Sequence, residues 1–79
     1  MNLTFHRTDA DFAENLATLR RATISGRGPA PKFLNVIVDG LAVDASTAHV
    51  RLNGWVAISD ELGEHRVPLD TVSVVKAYF

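Results

Sequence analysis

Cysteine is absent from the chain, which excludes a disulfide framework, a thiolate nucleophile and any cysteine-held zinc or iron–sulfur centre. That absence fits a reducing compartment. No apolar run approaches the ~18 residues that a membrane-spanning helix requires. The start of the chain, MNLTFHRTDADFAENL, has no unbroken apolar stretch of about seven residues, so it reads as neither secretion signal nor anchor. The expected setting is cytoplasmic. Neither sign of charge is in excess: eight Lys and Arg face nine Asp and Glu. With 47% hydrophobic and 22% charged residues, the composition is that of a folding globular domain rather than a disordered chain. The 79 residues have room for a single domain, 1–79, with a small core.

Catalytic and metal-binding patterns are also missing. His6, His49 and His65 are isolated from one another and lack the spacing that places two imidazoles on one metal. Asp60, Glu61, Glu64 and His65 cluster without the ligand positions or fixed glycine of a calcium loop, and read as a solvated acidic turn. SGRG does not follow a strand and has no GK[ST] ending, so it is not a phosphate loop. A serine–histidine triad would need an oriented base in a pocket. A core this small is not expected to enclose a cleft of the ~300 Å³ or more that ligand sites usually occupy. No enzyme activity, cofactor or small-molecule substrate is expected.

What is present is a helix followed by alternating segments. Thr8 and Asp11 approximate a capping box, and Asp9, Asp11 and Glu14 load the first turn with the charge that a helix N-terminus favours. Phe12, Leu16 and Leu19 fall on one face at i, i+4 and i+7, and Gly26, Gly28, Pro29 and Pro31 forbid continuation. The spacing predicts a helix over about 9–23, with Arg20 and Arg21 as its C-terminal charges. From Phe33 the period becomes two: Leu34, Val36 and Val38 alternate with Phe33, Asn35 and Ile37. Asp39-Gly40 is a type I′ hairpin signal, since both residues tolerate positive φ. Asn53-Gly54 reads as a second two-residue hairpin or as a bulge. The hairpin pairs Leu52 with Trp55 and Val50 with Ala57, and puts Trp55 in the core. Pro68 belongs at a strand edge or break, and 71–78 is the last strand.

This order predicts an α+β fold in which one N-terminal helix packs on an antiparallel β-meander of three to five strands, with curling toward a small SH3-like barrel as a further option. One helix covers one sheet face. Phe33, Ile37, Val56, Ile58, Val75 and Phe79 make the second face apolar as well, so it calls for barrel closure, a homodimer or a protein partner. The C-terminal strand, ending at Tyr78-Phe79, offers an edge for strand addition.

Charge is divided along the chain. Residues 20–32 carry four bases and no acid, whereas the remainder carries four bases against nine acids. Arg20, Arg21, Arg27 and Lys32 suit a carboxylate-bearing partner through bidentate contacts, or phosphates. The plainer reading is a helix-to-strand connection. Aromatics are only 8% of residues, with none inside the basic run, so nucleic acid fits less well than protein. The expected function is a small non-enzymatic protein-binding module, an adaptor, regulatory subunit or compact inhibitor. From size and lack of chemistry alone, that class includes the anti-defence proteins that phages and other viruses encode. The expected contacts are Arg20, Arg21, Arg27, Lys32, Val56, Ile58 and Phe79. The alternative is a nucleic-acid-binding accessory protein using 20–32.

Overall fold

The computed structural model describes all 79 residues. It comprises β1 (Asn2–His6), α1 (Phe12–Ser25), β2 (Phe33–Val38), β3 (Leu41–Ala45), β4 (Thr47–Arg51), β5 (Trp55–Asp60), β6 (Gly63–Pro68), a single 3₁₀ turn (Leu69–Thr71) and β7 (Val72–Tyr78). One antiparallel sheet has the order β1-β7-β2-β3 and the other β4-β5-β6. The fold is α+β, one helix packed on two antiparallel sheets that do not close into a barrel. Seven strands replace the expected three to five, because Asn2–His6 forms a strand before the helix and Gly63–Pro68, read as an acidic turn running into a proline break, forms another.

The helix begins at Phe12 and not near Asp9. Asp11 is its N-cap without a side-chain capping bond, while Asp9 instead accepts a hydrogen bond from the His6 backbone at 3.3 Å. The capping-box reading is therefore replaced by a turn that joins β1 to α1. At the other end Gly26, with φ 68°, takes the left-handed cap conformation, and its N–H donates to the Ala22 carbonyl. The last turn holds no basic residue. Arg21 lies one turn earlier and pairs with Glu14 at 3.3 Å, so its charge is not consumed by the helix terminus.

Both hairpin signals form turns. Asp39 and Gly40 have φ of 49° and 79° and join Val38 to its partner Leu41. At Asn53-Gly54 the loop has three residues, Leu52 to Gly54, and Arg51 pairs with Trp55. This register differs by one residue from the expected one, and a one-residue shift sends every side chain of β5 to the opposite face. Trp55 is consequently on the surface, 43% exposed, while Val56 and Ile58 are core residues, 0% and 2% exposed.

The core is one cluster in which Phe12, Leu16 and Leu19 of α1 meet Leu34 and Val36 of β2, Ala48 of β4, Val56 and Ile58 of β5, and Val72, Val75 and Ala77 of β7. The apolar second face is therefore smaller than the sequence suggests, since Val56, Ile58 and Val75 are inside. On the outer face of the larger sheet Phe33 stacks on Tyr78 with ring centroids 4.7 Å apart. The C-terminal strand is not an edge. β1 pairs with it from Asn2↔Tyr78 to His6↔Val74, and β2 pairs on its other side.

Candidate functional site

The sequence-expected contact residues fall in three places. Arg21, Arg27 and Phe79 come together around an open groove of about 590 Å³ between α1, the 26–29 connection and the start of β1. Arg20 turns to β4. Lys32 immediately precedes β2 and borders a cleft with Asp44, Asp60 and Glu61, away from the other bases. Val56 and Ile58 cannot meet a partner, because they are buried for the register reason given above.

The groove has the volume that a small core was not expected to provide. It is not hollowed from that core but left between elements, where α1 diverges from β1 and the Gly/Pro connection swings away. Leu19 and Ala22 come from the helix, Leu3 from β1, and Phe79 follows β7. The backbone N–H of Phe79 donates to the Met1 carbonyl at 3.1 Å, which ties the two ends of this wall together. At the rim, Ser25 Oγ donates to the Arg21 carbonyl at 2.7 Å and accepts from the Arg27 N–H at 3.2 Å, so one hydroxyl fixes the backbone on which both arginines are mounted. Gly28 has φ 75°, which lets the connection turn back toward Pro29.

The rim cations are available. Arg27 makes no ion pair, and the Arg21–Glu14 pair has both side chains more than 60% exposed. A pair so exposed is worth about 0–1 kcal/mol and is readily exchanged for a ligand carboxylate. The lining contains no histidine, aspartate or glutamate side chain. Its chemistry is that of an apolar trough with two guanidinium groups at one lip. Of the lining only Arg21, Arg27 and Phe79 were expected as contacts, and the wall that Met1 and Leu3 bring from the β1 end was missed altogether. The signal was the alternation of Leu3 and Phe5 with Asn2, Thr4 and His6, short but of period two.

Arg20 has a different role. It lies near His49 on β4, whose imidazole is held below its ordinary value near 6.5 first by burial, then by the positive charges of Arg20 and Arg51, with Arg66 acting in the same direction and Glu64 opposing. His49 Nδ1 is buried without a hydrogen-bond partner. Because the unfolded chain takes up this proton more readily, stability rises with pH through the window below about 6.5 and is lost on acidification. Thermal melts between about pH 7.5 and 5.5 should show His49→Gln losing less stability than the wild type. Parallel curves would mean that the folded state accepts the proton without penalty.

No helix is long and apolar enough to cross a membrane. No protein-family model matches the chain, and neither a curated protein nor a solved structure matches it, so the chemistry of these surfaces alone bears on function.

Proposed function

We propose that the protein is a non-enzymatic, cytoplasmic binding module that takes a short apolar segment of a protein partner into the groove between α1 and β1. The observation that carries this reading is the convergence of Arg21, Arg27 and Phe79 on one trough with an apolar floor and a cationic lip. An apolar trough gains affinity by releasing water, and the guanidinium groups fix orientation by pairing with carboxylates. The matching partner segment presents two or three apolar side chains beside an Asp or Glu. Nucleic-acid binding by residues 20–32 as one arm is disfavoured, since Arg20 faces His49 and Lys32 stands among acids.

Selection from a displayed library of random peptides tests this. Enriched sequences should combine apolar residues with Asp or Glu. Arg21→Ala/Arg27→Ala should weaken their binding roughly tenfold or more, in line with the worth of charge-assisted hydrogen bonds. Phe79→Ala should weaken it by removing part of the floor. Peptides that bind the wild type and these variants equally would remove the groove from consideration.

A further inference from the structure

The slipped register of β5 sets Trp55 on the outer face of the smaller sheet. Arg51 lies directly across from it on β4, and Arg66 lies diagonally across on β6 beside Ala57. These three residues alone line a cleft of about 440 Å³. A second cleft, of about 430 Å³, opens on another side of Trp55 and is bordered by Arg7, Asn53 and Asp70. The indole thus separates two clefts, each with a guanidinium group on its wall. Two buried polar atoms lack a partner in the whole protein, Arg7 Nε and His49 Nδ1, and both belong to residues of this region. Glu64 is the nearby counter-charge, 3.9 Å from Arg51 and 3.6 Å from Arg66. Those separations exceed the ~2.7–2.9 Å of a strong charge-assisted hydrogen bond, so the arginine N–H groups are not saturated.

We propose that Trp55, with Arg51 and Arg66 on one side and Arg7 on the other, holds one nucleotide unit of single-stranded nucleic acid, its base stacked on the indole and its phosphates on the guanidinium groups. A peptide carboxylate would only exchange like for like with Glu64. Guanidinium meets phosphate and carboxylate bidentately alike, so the indole decides the class: a base supplies the flat π-face that an exposed indole stacks on. This site is separate from residues 20–32 and from the groove, so either surface can fail its test without the other. With one aromatic and the two phosphates that flank one nucleotide, binding is weak and salt-dependent.

Trp55 is the only tryptophan, so its fluorescence reports occupancy directly. Titration with an oligothymidylate of roughly twelve residues should quench it saturably, with affinity falling roughly 25-fold between about 20 and 200 mM salt. By anisotropy of a labelled oligonucleotide, Arg51→Ala/Arg66→Ala and Trp55→Leu should each bind at least tenfold more weakly. Arg21→Ala/Arg27→Ala should bind as the wild type does. The altered residues are exposed, and melting curves check that the variants stay folded. The proposal is overturned by unchanged binding in the Arg51/Arg66 variant, or by a loss confined to the Arg21/Arg27 variant. Equal quenching by thymidine monophosphate or by polyglutamate would overturn it too, the first pointing to a free nucleotide and the second to an acidic peptide.

Discussion

Replacing Leu16 with alanine is expected to lower the melting temperature by at least about 10 °C, the result of losing roughly 2–5 kcal/mol in a domain of this size. Leu16 is 0% exposed and sits at the middle of the Phe12–Leu16–Leu19 stripe. A 14-residue helix is marginal in water by itself, so α1 exists because that stripe is buried against the sheets. Removing its central side chain opens a cavity in the core cluster that α1 shares with both sheets, a cluster made largely of valine and alanine side chains too short to refill it. Against a total stability of about 4–12 kcal/mol, the loss is a large fraction. Thermal unfolding followed by circular dichroism measures it, with exposed Ala13→Ser on the same helix as the reference. A shift of Leu16→Ala no larger than that of the reference would mean that the helix does not depend on this packing.

The apolar stripe of the helix, its stop before the Gly/Pro connection, the Asp39-Gly40 turn and the alternation of β2 were legible because each rests on local chemistry. Gly26 can be read as part of that stop, and Leu34, Val36 and Val38 as a strand from their spacing. The position of β7 was not legible. A final strand rich in Val looks the same whether it lies at an edge or in the centre, and only the pairing of Asn2–His6 with it, a contact across nearly the whole chain, decides. The candidate site was half legible for the same reason. The basic composition of residues 20–32 could be counted, but which bases share a surface depends on helix phase. Arg20 and Arg21 are neighbours in sequence and face different structures, one the His49 region and the other the groove.

The error at Trp55 shows how a single loop residue governs a surface, and it yields the sharpest test of the fold. In the observed register Ile58 lies between Ala48 and His65 on the inner face of β5, in a core that holds no buried polar residue. Ile58→Asp would forfeit about 2–3 kcal/mol of apolar burial. It would also leave a carboxylate without a partner, and protonating that group so that it can be buried neutral at pH 7 costs about another 4 kcal/mol. The sum is comparable to the whole stability of the domain, so the variant is expected to be unfolded at pH 7 and 25 °C. Trp55→Ser, three residues away and on the outer face, should change stability by only about 1 kcal/mol or less. With the loop shortened by one residue the two faces exchange, Ile58→Asp becomes a tolerated surface change and Trp55→Ser the destructive one. Circular dichroism of the two variants therefore reads the register directly, and with it the placement of Trp55 between Arg51 and Arg66 on which the proposed nucleotide site depends.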